Sequence, residues 1–260
     1  MGSVHLASFF YVECPVTFYY LNSHCTLRPT TMNEQQKALV RTARLAGVWY
    51  LVLAVSGVVG FLVLHPQIYV SGDLSQTVSN LSEHETIARL RLLMEFAIVI
   101  SQAVAAIYFF KLFKDINHVA SWALAAWGTM NAGVIMISAI AMGGAINVAN
   151  AALAVSDKVI MIQIFDQLIK NAWGVGSLFF GLWLIPMGYI VVSSQRMPVW
   201  LGRTLILGGA GYIASAFLSY AGFGFSWINM LTIPATIGEF WIIGYLVVFG
   251  IRPQQQNEEL

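Results

Sequence analysis

Residues 172–193, AWGVGSLFFGLWLIPMGYIVVS, run for 22 positions without Asp, Glu, Lys, Arg or His. A helix of that length rises about 33 Å, enough to cross a hydrocarbon core about 30 Å thick. Five further stretches are long and apolar enough to span, near 46–64, 88–110, 119–143, 199–220 and 231–250. Each is broadly apolar rather than alternating. That excludes a transmembrane β-barrel, whose strands read as runs of about ten residues with period two. The expected fold class is therefore all-α, a polytopic transmembrane helix bundle of six spans. Every backbone N–H and C=O at bilayer depth is then paired within its own segment.

Composition agrees. Of 260 residues, 58% are hydrophobic and 10% charged, against about 25% charged in soluble proteins. An ordinary water-soluble enzyme is excluded. Thirteen Lys and Arg against twelve Asp and Glu leave a net charge of +1. No basic field for nucleic acid exists, so no nucleic-acid partner is expected. Cys14 and Cys25 support neither a disulfide framework nor a zinc site.

Basic residues near the span ends orient the bundle, since Lys and Arg are retained on the cytoplasmic side. Lys37, Arg41 and Arg44 precede span one, Lys111 and Lys114 follow span two, Arg196 and Arg203 flank the turn between spans four and five, and Arg252 follows span six. All fall on one side. The expected location is a bacterial inner membrane with both termini cytoplasmic. Residues 32–45 form a basic cytoplasmic lead-in, 46–250 the six-helix domain and 251–260 a cytoplasmic tail. Residues 1–31 hold only short apolar runs broken by Glu13 and Pro15, and Met1 to Phe10 has no Lys or Arg for a signal peptide. Met32 opens a hydrophilic stretch and is read as the natural start, with a peripheral arm as the alternative.

Between spans one and two, His65 to Thr86 reads as a polar loop of functional length. Ser82 followed by Glu85 has capping-box spacing and predicts a helix start near Glu83. His65, Asp73, Glu83, His84 and Glu85 invite a metal site, but a solvated loop face is the better reading, because no spacing is diagnostic. Asn80-Leu81-Ser82 fits a glycosylation sequon, relevant only in a secretory eukaryotic setting.

Before span four, Gln163, Asp166, Gln167, Lys170 and Asn171 alternate with Ile160, Ile164, Phe165, Leu168 and Ile169 at helical spacing. That predicts an amphipathic interfacial helix. A continuous helix from Val159 to Ser193 would run about 50 Å, too long for one upright span. Its first part is expected at the outer interface or over the bundle mouth. In span five, Gly211, Ser215 and Ser219 share a face and favour close helix packing. Pro234 and Gly238 predict a kink in span six.

Charged side chains inside membrane segments are paired or face a polar interior, because each costs about 2.5–3.5 kcal/mol on insertion scales. Span two carries Arg89, Arg91 and Glu95, and span six carries Glu239. By helical rise Glu95 lies about 10 Å and Glu239 about 12 Å below the outer boundary, with Asp166 and Lys170 above them. The bland reading is a neutral interhelical clamp in which Arg89 or Arg91 neutralises Glu95 or Glu239. The sharper one makes Arg89, Arg91, Glu95, Asp166, Lys170 and Glu239 a ligand-binding set. In that pocket Arg would fork an anion and Glu would hold a cation or proton. Trp127, Trp173, Trp183, Trp227 and Trp241 mark interfaces and packing, or line a pocket for an amphiphile.

No HExxH, GxSxG or paired transmembrane histidine appears, and His118 stands alone in a turn. Neither a haem nor a catalytic metal is expected, and no cofactor is assigned.

The ordered segments Phe179-Phe180-Gly181-Leu182, Gly188-Tyr189, Ser193 or Ser194, Pro198, Leu201-Gly202 and Gly211-Tyr212 resemble a bacterial membrane family, the domain-of-unknown-function family 4386. Ala43-Arg44-Leu45-Ala46-Gly47 with Tyr50-Leu51 is similar to its first helix, and Arg89 with Glu95 to the Arg and acidic pair on its second. The resemblance covers about Arg41 to Phe249 and departs at Asp166 to Asn171, where the family pattern has a histidine-containing helix start. It implies the fold and topology and no reaction.

The leading reading is a non-enzymatic membrane protein. Its partners are the lipid bilayer and a small molecule or lipid, held in an outer-half polar cavity built by spans two and six and the helix at 157–171. A proton- or ion-coupled solute transporter is the second reading, although no internal repeat of the kind such folds show is visible. An intramembrane enzyme is the third.

Overall fold

The computed structural model describes residues 34–253. The N-terminal arm 1–31, Met32 as a start, and the tail beyond residue 253 lie outside the described residues. Among the described residues the regular elements are all helices, in the order α1 (Glu34–Gly57), a π-helical segment Val58–Leu64, α2 (His65–Ile68), α3 (Leu74–Glu83), α4 (Glu85–Phe113), α5 (His118–Ala149), α6 (Val155–Ser194), α7 (Val199–Tyr220), a 3₁₀ segment Ser226–Thr232 and α8 (Ile233–Val248). Six are long and apolar enough to cross a membrane: Glu34–Ile68, Glu85–Phe113, His118–Ala149, Val155–Ser194, Val199–Tyr220 and Ser226–Val248. The chain is a multi-pass α-helical membrane protein.

Each span packs on the next in sequence, and span six packs back on span one, so the bundle closes into a ring. Its interior is filled by Tyr50, Phe109, Phe113, Leu124, Trp183 and Leu184. Close backbone approach holds spans four and five together. A Cβ on Gly181 would stand 2.6 Å from the Gly209 carbonyl oxygen, and one on Gly188 would stand 2.5 Å from that of Gly202. Gly211 instead faces the Leu231 carbonyl, so span five presents small residues to both of its neighbours.

The two ends of the ring differ. At the basic end, buried Arg196 donates from Nε to the Arg252 carbonyl (2.8 Å) and from Nη2 to Gln36 Oε1 (3.0 Å), while Gln36 Nε2 reaches the Ile251 carbonyl (2.8 Å). This latch ties the start of α1, the α6–α7 turn and the chain after α8. Gly47 lies against Leu246 about three turns further along α1. At the opposite end α5 and α6, with 32 and 40 residues, rise about 48 and about 60 Å and overrun a core about 30 Å thick. Their tips and α3 enclose a second apolar cluster that includes Ile68, Leu81, Met142, Ile146 and Ile162. We call this the capped end.

Three local expectations change. The amphipathic stretch before span four is continuous with that span and packs against α3 and α5 instead of lying flat. On that stretch Ile162 and Ile169 are buried against protein, while Ile160, Ile164 and Leu168 stay 59%, 62% and 41% exposed. Ser82 caps nothing: the loop around it is already helical, with Asp73 Oδ1 accepting from the Gln76 N–H (2.8 Å), and the Ser82 hydroxyl turns back to the Ser79 carbonyl (2.9 Å). Pro234 sits in the first turn of α8, where its missing N–H has no helical partner to lose, so it starts the helix and does not kink it.

Candidate functional site

The apolar run of span one conceals a change of helical register. From Val58 to Leu64 it is π-helical, a form that occurs mostly as short bulges at functional sites. That turn brings Phe61 against Trp173 (ring centroids 4.1 Å apart) and aims His65 at span two. His65 Nδ1 accepts from Arg91 Nε (3.1 Å), and the Arg91 guanidinium lies over the Phe61 ring, 4.9 Å from its centroid.

Arg91 and Glu95 are both 0% exposed, with Nη1 3.2 Å from Oε2. Glu95 Oε1 also accepts from the Ser138 hydroxyl (2.5 Å) and from Trp173 Nε1 (3.4 Å), which lies closer still to the Ser138 oxygen (3.1 Å). Asp166, nearly buried, pairs with Lys170 at 2.6 Å. Tyr69 connects the two pairs: burial pushes its phenol above the ordinary range, Arg91 opposes the rise, and Asp166 and Glu95 add to it. Its hydroxyl donates to Met142 Sδ (3.5 Å).

The six candidate residues thus divide. Glu85 with Arg89, Arg91 with Glu95, and Asp166 with Lys170 are all pairs four residues apart on one helix. The neutral clamp is intrahelical, not interhelical, because this spacing already places opposite charges one turn apart. Arg89 is exposed beside Glu85 and stands outside the cluster. None of the three pairs engages Glu239.

Glu239 forms a second polar centre, with partners that sequence reading did not single out. Its Oε1 accepts from the Tyr50 hydroxyl (2.7 Å), and Tyr212 faces the same carboxyl. No cation pairs with it among the described residues. These groups close one end of a cavity of about 230 Å³ whose remaining walls include Leu53, Ala54, Ile98, Trp173, Phe180 and Ile243. The rim residues Val58 and Phe240 are 41% and 54% exposed on the apolar outer surface of the bundle. Expected between spans two and six with residues 157–171, the cavity is instead bounded mainly by spans one, four, five and six; it shares Glu239 with the expected set and is lined by none of Arg89, Arg91, Glu95, Asp166 or Lys170. Trp173 stands between the two centres, with its N–H on Glu95 and its ring lining the cavity.

Deeper in the bundle, Gln102, Asn131 and Trp183 Nε1 are buried without a hydrogen-bonding partner among the described residues. The candidate loop ligands are dispersed: Asp73 caps α3, Glu83 accepts from Ser79, and His65 turns inward. No group of three or more His, Cys, Asp or Glu among the described residues is placed to hold a metal.

The chain belongs to the family described as "Domain of unknown function (DUF4386)", which matches residues 45–250 and so includes both polar centres. An "Uncharacterized protein" of Archaeoglobus fulgidus is 34% identical over 76 residues, which cover 29% of this chain and 44% of that relative. The chain thus spans less than half the length of that relative. No solved structure matches the chain.

Proposed function

We propose that this member of the family holds a small amphiphilic molecule, taken from the bilayer, in the cavity beside Glu239. The observation that carries the reading is the lining. One end offers a carboxyl and two phenols, and the rest is apolar and aromatic. Ligand pockets combine apolar walls with a few placed polar groups in this way. Val58 and Phe240 rim it on the face that meets lipid, so a ligand enters sideways between spans one and six. The latch at the basic end keeps those two spans together there, and Glu239 lies about 10 Å along α8 from Leu246. With the basic end cytoplasmic, in the inner membrane and with both termini on that side, Glu239 lies in the outer half, and the cavity reaches across the midplane to Tyr50, about 6 Å from the inner boundary.

Gly57 provides the test. A Cβ there would meet nothing within 4 Å, yet the residue lines the cavity. Wild-type protein in phosphatidylcholine nanodiscs is titrated with decanol by calorimetry, against empty discs. Saturable binding that Gly57→Phe abolishes at unchanged unfolding temperature supports the reading. Binding that Gly57→Phe leaves intact, or no saturable binding by wild type, overturns it.

A further inference from the structure

Glu239 is held by hydroxyls and, among the described residues, by no counter-charge. Tyr50 donates to one carboxylate oxygen at 2.7 Å and Tyr212 faces the group. These bonds satisfy lone pairs, while the charge of the ionised group stays uncompensated. Elsewhere in the bundle the rule is different: Glu95, fully buried, has Arg91, and nearly buried Asp166 has Lys170. An unpaired ionised carboxylate in a low-dielectric site is costly. A bound cation removes that cost, and the walls are suited to one, since Trp173, Phe180, Tyr212 and Phe240 all border the cavity and aromatic faces attract ammonium groups.

We propose that the ligand is a single-chain amphiphile with a protonated amine head, the ammonium on Glu239 among the aromatic rings and the chain leaving past Val58 and Phe240 into the bilayer. This rests on the cavity being a ligand site at all. The cavity lining contains no Lys, Arg or His. A fatty carboxylate would therefore set two anions together with nothing between them. A zwitterionic lipid headgroup would bring its phosphate to the same place without a partner. The free amine satisfies all three conditions: positive head, no anion alongside, one apolar tail.

The test uses the full chain in phosphatidylcholine nanodiscs at neutral pH, titrated with decylamine, decanol and decanoate. The expected result is decylamine binding at least tenfold tighter than decanol, with no saturable decanoate binding. Glu239→Gln should abolish the preference, so that decylamine and decanol bind the variant with the same affinity. Decanol equal to or tighter than decylamine on the wild type overturns the amine assignment, and points to Glu239 carrying only a proton. Should Glu239→Gln fail to fold, the wild-type ranking decides alone. Replacing part of the phosphatidylcholine by phosphatidylethanolamine should leave decylamine affinity unchanged; competition would assign the site to the lipid headgroup and overturn the choice of a free amine. Absence of saturable binding by any of the three probes rejects the cavity as a ligand site, a failure distinct from a wrong head group.

Discussion

Trp173 Nε1 lies 3.1 Å from the Ser138 hydroxyl oxygen and 3.4 Å from Glu95 Oε1, while its ring lines the cavity of Glu239. One side chain is thus both a donor to the buried ion pair and the wall that separates it from the second centre. Trp173→Phe keeps a ring beside Phe61 and removes the donor. A lost buried hydrogen bond of this kind lowers stability by about 1–3 kcal/mol. The expected outcome is a lower midpoint in denaturant-induced unfolding in mixed micelles, with decanol binding retained. Loss of decanol binding at unchanged stability would mean that the ring, not the N–H, is the essential part.

Arg91 and Glu95 make a second prediction, from the asymmetry of buried pairs. Glu95→Gln leaves a fully buried guanidinium without its anion, and breaking such a pair lowers stability by about 3–5 kcal/mol. Removing both charges as Arg91→Met with Glu95→Met should restore most of that loss, since apolar replacement of a whole buried pair is often neutral or stabilising. The same unfolding assay checks it. A double variant as unstable as Glu95→Gln would show that the contacts of Arg91 with His65 and Phe61 contribute more than the pair does.

Much of this arrangement was legible in the sequence, and the limits have physical causes. Spans follow from runs such as 172–193, because hydrocarbon sets their length. The three charge pairs were readable as well, since Glu85/Arg89, Arg91/Glu95 and Asp166/Lys170 are each four apart, a separation that places side chains on adjacent turns. The partner of Glu239 was not. Tyr50 lies 189 positions away, and which turn of span one meets which turn of span six depends on the close approach of Gly47 to Leu246. The π-helical segment left no mark in VVGFLVL, which reads as any apolar run does, so Phe61 and His65 could not be placed.

Tyr69 carries a pH prediction. Burial pushes its phenol above the ordinary range, so the folded state holds that proton to higher pH than the unfolded chain, where the phenol titrates near about 10. The native protein then binds more protons than the unfolded one at alkaline pH, and stability falls as pH rises above about 10, with the full contribution present below it. Tyr69→Phe should flatten the alkaline decline of unfolding temperature between about pH 9 and pH 11. An unaltered decline would assign it to other groups.

The charge asymmetry makes a topological prediction. Ser79 on α3 lies at the capped end, and exposed Asp115 lies in the turn between α4 and α5 at the basic end. Single cysteines introduced as Ser79→Cys and Asp115→Cys, with Cys14 and Cys25 replaced, should differ in whole cells. A membrane-impermeant maleimide is expected to label position 79 and to leave 115 unlabelled until the cells are opened. The reverse pattern would invert the bundle and put Glu239 in the cytoplasmic half.

Spans four and five offer a contrast between glycines that sets packing against propensity. At Gly188 an added Cβ would stand 2.5 Å from the Gly202 carbonyl oxygen and 2.8 Å from Ile206 Cγ1, so the two backbones must part for Gly188→Ala to fit. At Gly57 an added Cβ meets nothing within 4 Å, and alanine gains about 0.8–1 kcal/mol in helix propensity over glycine. Gly188→Ala should therefore lower the unfolding midpoint by an amount typical of overpacking, about 1–3 kcal/mol, while Gly57→Ala leaves it unchanged or raises it. The measurement is a paired denaturant titration of both variants in one micelle system. Equal effects from the two would mean that spans four and five do not meet through the Gly181–Gly209 and Gly188–Gly202 contacts, and with that contact gone Phe180 and Tyr212 would no longer share one cavity wall.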